Sequence, residues 1–357
     1  MTHLVIMAAG TGGHIIPGIA VAREMQARGW TVSWMGTPAG MENTLVPAAG
    51  ITIDRLGFAG LRGKGAVHAV KGVFKLIGSF AESLSILRRR SADAVLGMGG
   101  YVCFPGGLVA GLMRKPLVLV NADAALLLSN KGLLPFADRV AFGFDGADAA
   151  RTRRSVVTGN PVRAEIEALP VPAQRFAGRS GPLRVLVLGG SLGARVLNQA
   201  LPAALALIEA DQRPVVIHQT GAAHVESVRA AYAEARVQAE VLPFIEDMSR
   251  RLAECDLVVC RAGAVTVSEL CAAGVPSVLV PLIVSTTSHQ RDNAMFMAQH
   301  GAAQHLPQAE LTPQKLAELF QATDRTALLA MAEKAHTLAR PRAAARVADE
   351  IERLIKP

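Results

Sequence analysis

A short apolar run, a glycine-rich turn and a helical stretch follow one another twice in this chain of 357 residues, once at its start and once near its middle. Leu4–Ala8 leads into Gly10-Thr11-Gly12-Gly13-His14 and a helix from about Pro17 to Arg28, closed by Gly29 and followed by a strand at Thr31–Met35. Leu183–Leu188 leads into Gly189-Gly190-Ser191-Leu192-Gly193-Ala194 and a helix over Arg195–Ile208. A strand apolar at consecutive positions is buried on both faces, and a helix straight after it covers one of them, so such units stack into a parallel sheet wound on both sides. Further strands are expected at Ala94–Gly97, Leu117–Val120, Val215–His218, Val241–Leu242, Leu257–Cys260 and Ser277–Val280. The expected fold is α/β, two Rossmann-like domains with parallel sheets facing a cleft.

The boundaries follow from composition. Residues 1–163 form the first domain, and 164–182, with EIEALPVPAQRFAGRSGP, suit a linker. Residues 183–341 form the second domain, and 342–357 form a helical tail expected to pack back on the first. The length supports two cores, and 18% charged against 51% hydrophobic residues excludes a disordered chain. Mean hydropathy is +0.31, yet no apolar stretch reaches the roughly 18–20 residues of a spanning helix. The start has neither a basic region nor a cleavage site, so no export is expected. Cys103, Cys255, Cys260 and Cys271 lie singly in apolar segments without metal-ligand spacing, and are expected to be reduced core residues.

The formal charge is +8, and its distribution decides its meaning. Residues 1–163 carry 18 Lys/Arg against 9 Asp/Glu, a net of +9, while 164–357 carry −1. No RNA-binding aromatic motif, zinc finger or basic tail accompanies the excess, so no nucleic-acid partner is expected. An anionic membrane surface or a phosphate-bearing substrate explains a one-sided charge. Between Lys64 and Arg90, Val70, Val73, Phe74, Ile77, Phe80, Ala81 and Leu84 recur at spacings of three and four, among Lys64, Lys71, Lys75 and Arg88–Arg90. Such a helix lies in a lipid interface or turns its stripe to the core, and the pattern alone favours the core.

Both glycine loops sit between a strand and a helix, where backbone can approach a ligand and free N–H groups face an anion; a phosphate or pyrophosphate is the natural occupant. Neither fits the dinucleotide fingerprint or the Walker A loop. One such loop alone is as often a tight turn, but two at equivalent places carry more weight. A third cluster, Gly97–Gly107, containing Gly99, Gly100 and Tyr101, is either another pyrophosphate cradle or a close-packing corner. Gly159-Asn160-Pro161-Val162-Arg163 presents one arginine just before the linker. In Arg261–Pro276, Glu269 lies early in a helix beginning near Thr266. Its carboxylate can accept both hydroxyls of a ribose, or it complements the helix dipole.

Taken together and in order, GTGGH, GLRGKG (Gly60–Gly65), MGGYVCFPGG, TGNPVR, GGSLGARVLNQ, RAGAVTVSELCAAGVP and HQRDNA (His289–Ala294) resemble the MurG family of bacterial glycosyltransferases along nearly the whole chain. The resemblance implies a two-domain GT-B enzyme, first domain for the acceptor and second for the UDP-sugar. Its implied reaction moves N-acetylglucosamine from UDP-N-acetylglucosamine to the C4 hydroxyl of the muramyl sugar in undecaprenyl-pyrophosphoryl-MurNAc-pentapeptide (lipid I), giving lipid II for peptidoglycan. Residue by residue, it implies Thr11, Gly12 and Gly13 near the donor sugar and the acceptor's pyrophosphate, with Gly99, Gly100 and Tyr101 as an acceptor loop. Arg163 and Ser191 would contact the donor's diphosphate, and Ile245 the uracil through its backbone. Ala264, Val265, Thr266, Val267, Ser268 and Glu269 would hold phosphate and ribose, and Gln290 hydroxyls of the N-acetylglucosamine. It further implies a peripheral place on the cytoplasmic face of the inner membrane, roles in cell shape and division, and cell-wall synthesis and division proteins as partners. With a lipid-anchored acceptor, the interface reading of Lys64–Arg90 becomes the favoured one.

The chain departs from the family pattern in places. Ala8-Ala9-Gly10 stands for Ala-Gly-Gly, Leu192 for Gln, and Thr287-Ser288 for an acidic pair. His-Glu-Gln-Asn appears as Val120-Asn121-Ala122-Asp123, so the sugar-contacting Asn falls on Asp123, acceptor-only when ionised. The implied inverting reaction needs a base for the hydroxyl and donors for charge developing on the β-phosphate. The Ser191 loop, Arg163 and the helix at Thr266 supply donors; no Asp-x-Asp motif is present, and neither metal nor cofactor is expected. His14 is the candidate base, its pKa held low by a helix N-terminus. A nucleotide-sugar sensor, another GT-B transferase such as a diacylglycerol glycosyltransferase, and an epimerase are the alternatives; Gly60–Gly65 and Gly99–Gly107 argue against the last two.

Overall fold

The computed structural model describes residues 1–10, 12–57, 66–190, 192–282 and 289–355, with backbone alone over 66–74. Thr11, Gly60–Gly65, Ser191, Thr287 and Ser288 lie outside the described residues, as do the side chains of Val70, Lys71, Val73 and Phe74. The chain divides into two units, one of Met1–Pro161 with Arg340–Pro357, the other of Val162–Ala339.

In the first unit, β1 (His3–Ala8), β2 (Thr31–Gly36), β3 (Thr52–Arg55), β4 (Ala94–Gly99), β5 (Leu117–Asn121), β6 (Arg139–Phe142) and β7 (Ser155–Val157) alternate with helices. These are α1 (Gly12–Ala27), α2 (Glu42–Ala48), α3 (Ala66–Arg89), α4 (Cys103–Leu112), α5 (Leu128–Leu133) and α6 (Ala147–Arg151). The strands pair in parallel in the order β3-β2-β1-β4-β5-β6-β7. Alternation along β1 divides the core: Leu4, Ile6 and Ala8 pack with Trp34 and the C-terminal helix (Ala343–Ile355), while Val5, Met7 and Ala9 pack with Leu56, Leu87 and Leu133. The buried residues of α1 include Ile15, Gly18, Val21, Ala22 and Met25, at helical spacing. A Cβ on Gly18 would stand 2.6 Å from the Trp34 ring, so glycine lets this helix lie directly on that indole. Arg28 ties the C-terminal helix down through Asp349 (2.7 Å) and Glu352 (3.1 Å).

The second unit contains α7 (Ala164–Glu167), α8 (Pro172–Phe176), β8 (Arg184–Leu188), α9 (Arg195–Ala206), β9 (Val215–Gln219), α10 (Val225–Glu234), β10 (Glu240–Leu242) and α11 (Met248–Glu254). After these come β11 (Leu257–Cys260), α12 (Ala264–Ala273), β12 (Ser277–Leu279), α13 (His289–Gln299), β13 (Gln304–His305), α14 (Pro313–Ala322) and α15 (Arg325–Thr337). Its sheet is parallel as well, in the order β10-β9-β8-β11-β12-β13. All four cysteines are buried thiols. Among the described residues, no helix is long and apolar enough to cross a membrane.

Three expectations change. The first helix begins at Gly12, not Pro17, so Gly12, Gly13 and His14 form its opening turn; Pro17 lies inside it and donates no hydrogen bond to the Gly13 carbonyl. Residues 164–182 hold two short helices that bury Ile166 and Phe176 in the second unit. Arg175 and Arg179 there donate to the carbonyls of Leu252 (3.2 Å) and Cys255 (2.6 Å). Along α3 the anticipated stripe splits: Phe80 and Leu84 pack against the core, which also takes Ile86 and Leu87, while Ile77 and Ala81 face outward.

Candidate active site

In each sheet the strand order reverses direction at one point, and there the carboxyl ends of adjacent strands part to leave room for a ligand. In the first unit that point lies between β1 and β4, and in the second between β8 and β11. Gly12, Gly13, His14, Gly99 and Gly100 lie at the first of these points, and the glycine turn after β8 and the stretch Ala264–Glu269 at the second.

Gly12, Gly13 and His14 open α1 just after β1, so the helix's first N–H groups, which precede its own hydrogen-bond ladder, lie at the first reversal point. His14 is seated by backbone. Its Nδ1 faces the Ala9 carbonyl at 3.4 Å, a contact that puts the proton on Nδ1 and leaves the Nε2 lone pair available. Gly99, the last residue of β4, and Gly100 after it make that seat. A Cβ on Gly99 (φ +122°) would stand 2.6 Å from His14 Cδ2, and one on Gly100 would stand 2.5 Å from the Ala9 oxygen. The two glycines are therefore a close-packing corner for the imidazole, and the Ala9 N–H donates to the Gly99 carbonyl at 3.3 Å to close it. Beneath, Cys103 Sγ accepts the Gly99 N–H (3.2 Å) and contacts the Met7 carbonyl (3.3 Å). Tyr101 is exposed at the corner.

Burial is the largest influence on His14 and lowers its pKa; the Ala9 carbonyl and the Asp123 charge oppose it. Asp123 follows β5 on a loop shaped by Asn121. That buried amide donates to the carbonyls of Asp123 (2.7 Å) and Ala125 (3.0 Å), and accepts from Leu127 N–H (2.9 Å) and Asn130 Nδ2 (3.2 Å). A glutamate in its place would have no hydrogen to donate to those carbonyls.

In the second unit, the glycine turn after β8 is closed by Gly189 N–H to Gln219 O (2.9 Å) and Gly193 N–H to Gly190 O (3.1 Å), with Leu192 exposed. On the far side of the reversal point, α12 begins immediately after Gly263, which has no side chain to cap it. Val267 N–H finds the Gly263 carbonyl at 2.9 Å, so the N–H groups of Ala264, Val265 and Thr266 precede the helical ladder. Val267 is buried and the Ser268 hydroxyl donates to Ala264 O (2.9 Å).

Glu269 and Arg163 are brought together, Oε1 to Nε at 3.3 Å. Burial raises the Glu269 pKa; Arg163 pulls it down and Glu165 pushes it up. Ile245 is buried, and its backbone N–H and C=O have no hydrogen-bond partner among the described residues. Gln290 opens α13 and its Oε1 accepts Leu282 N–H at 2.9 Å. One group was missed from the sequence: Glu42, whose carboxylate accepts the Gly10 N–H at 3.2 Å. Its only local signal is an acid at the start of a helix after Gly36 and Gly40.

Comparison with known proteins gives one answer. The glycosyltransferase family 28 N-terminal domain matches residues 4–142, and the glycosyltransferase family 28 C-terminal domain matches residues 184–351. A relative from Methylibium petroleiphilum is 70% identical across 99% of this chain and 98% of its own length. It is named UDP-N-acetylglucosamine--N-acetylmuramyl-(pentapeptide) pyrophosphoryl-undecaprenol N-acetylglucosamine transferase. A relative of the same name from Chromobacterium violaceum is 63% identical, covering 98% of each chain. The crystal structure of Acinetobacter baumannii MurG superposes with a TM-score of 0.86 at 38% identity, over 99% of this chain and 100% of that one. The two Rossmann-like domains with parallel sheets are of the GT-B class. The chain belongs to glycosyltransferase family 28 and, within it, to the MurG family.

Proposed function

We propose that this protein transfers N-acetylglucosamine from UDP-N-acetylglucosamine to the C4 hydroxyl of MurNAc in undecaprenyl-pyrophosphoryl-MurNAc-pentapeptide, with inversion, to give lipid II. The observation that carries this is full-length identity of 70% to a relative whose name states those substrates. The second unit takes the donor. The first N–H groups of α12 and the Arg163 guanidinium neutralise the diphosphate, and Glu269 accepts the ribose hydroxyls once they displace its contact with Arg163. The Ile245 backbone, without a hydrogen-bond partner among the described residues, suits a uracil edge. Gln290 is assigned to the sugar hydroxyls, and Ser191 to the diphosphate.

The first unit takes the acceptor. The opening turn of α1, with Gly12 and Gly13, faces its pyrophosphate, Thr11 is assigned there on the family resemblance, and His14 Nε2 removes the proton from the attacking hydroxyl. As that oxygen bonds to the anomeric carbon, the bond to the β-phosphate oxygen breaks and its electron pair leaves with UDP. The negative charge so formed is met by the same N–H groups and Arg163.

An anionic membrane surface is the proposed partner of the first unit, which places the protein at the periphery of the cytoplasmic face. Support comes from α3, α4 and α5, which pack in succession and expose Ile77 (59%), Leu112 (69%) and Leu128 (82%) among exposed Lys75, Arg114 and Lys131. Cell-wall synthesis and division proteins are further proposed partners, on the family resemblance alone.

The base assignment is tested with His14→Ala in the full-length chain. Turnover is expected to fall by about 10²–10⁴-fold with UDP affinity unchanged. Unchanged turnover removes His14 from the role.

A further inference from the structure

The first glycine turn is fastened by a carboxylate that no step above uses. Glu42 opens α2 and has 0% relative exposure. Its oxygens are divided between two connections: Oε2 accepts Gly10 N–H (3.2 Å), while Oε1 accepts Thr37 N–H (3.1 Å) and lies 2.6 Å from the Thr37 hydroxyl, whose single proton it shares with the Ala39 carbonyl. Donors on both oxygens offset the desolvation that would otherwise make a buried carboxylate costly. The surroundings are fitted to it. A Cβ on Gly36 would stand 3.0 Å from Glu42 Cγ, and one on Gly40, held at φ +139°, would overlap Oε2.

If packing alone mattered, an apolar side chain would fill this space more cheaply. The carboxylate instead grips the backbone N–H immediately before Thr11 and the opening turn of α1. Gly10 N–H is thereby withdrawn from any ligand, and a bound anion is left to the N–H groups that follow. We propose that Glu42 is a positioning residue for the acceptor's pyrophosphate, holding Gly10 so that the first N–H groups of α1 are aimed at that anion. This rests on the assignment of the acceptor to the first unit. Glu42 touches no substrate and exchanges no proton.

The test compares the full-length wild type, Glu42→Gln and Thr37→Val, varying the undecaprenyl-pyrophosphoryl acceptor at saturating UDP-N-acetylglucosamine and then the converse, with UDP binding measured by calorimetry. Glu42→Gln keeps the shape but turns one oxygen into a donor facing an N–H or hydroxyl. It is expected to raise the acceptor KM about tenfold, with donor KM and UDP affinity within about twofold. Thr37→Val, which removes one donor, is expected to raise the acceptor KM about threefold. A merely structural role lowers the active fraction, and with it apparent kcat, without moving either KM. An unchanged acceptor KM in the variants, or an equal rise in donor KM, overturns the proposal; if Glu42→Gln does not fold, Thr37→Val decides alone. A wild type that transfers nothing to the acceptor refutes the functional reading itself.

Discussion

His14 is poised by opposing influences. Burial disfavours its charged form, while the Ala9 carbonyl and the Asp123 carboxylate favour it. A base works only when unprotonated, so kcat should fall as pH drops through a His14 pKa below the ordinary 6.5. Asp123→Asn removes a charge that raises this pKa, and the acid limb of the kcat–pH profile is expected to move to lower pH. A limb that stays in place separates Asp123 from the base. At this scale the sequence was informative where chemistry is local to a motif: Arg163 and Glu269, 106 positions apart, were both singled out, and they meet at 3.3 Å. It was uninformative where one residue acts through another's backbone. Nothing in Met41-Glu42-Asn43 announces that the acid reaches Gly10, because that contact exists only once β1 and β2 are side by side.

The elements most legible in the sequence were those with an unbroken run of apolar residues. β1, β5, β8 and β11 each run through the middle of a sheet, buried on both faces, and their residues say so. β3 (TIDR), β6 (RVAF), β7 (SVV) and β13 (QH) went unread because each carries polar residues and lies at or next to a sheet edge, where one side needs no apolar cover. The start of α1 was misplaced by giving Pro17 its usual first-turn meaning; the helix instead extends back over Gly12–His14, which is what makes the glycine motif a helix N-terminus. The stretch 164–182 reads as a linker by composition, yet Arg175 and Arg179 staple it to backbone carbonyls of the second unit. The reversal points themselves were not legible, since strand order depends on crossovers that periodicity does not encode. They explain why four separated motifs, after β1, β4, β8 and β11, carry the candidate chemistry.

For the molecule as a whole, the charge asymmetry is the feature that motifs do not explain. The excess of +9 over residues 1–163 falls on the half assigned to a lipid-anchored acceptor. Binding to vesicles containing anionic lipid is expected, weakened by high salt and reduced by Lys75→Glu, because surface attraction adds about 1 kcal/mol per basic residue and fades within a Debye length. Binding indifferent to both would assign the charge to the substrate pyrophosphate alone. The central claim is the reaction. Labelled transfer to the undecaprenyl-pyrophosphoryl-MurNAc-pentapeptide acceptor, run in parallel from UDP-N-acetylglucosamine and UDP-glucose, tests it most directly. Formation of lipid II from UDP-N-acetylglucosamine, with little or no transfer from UDP-glucose, is the expected result; no transfer from either donor would contradict the account.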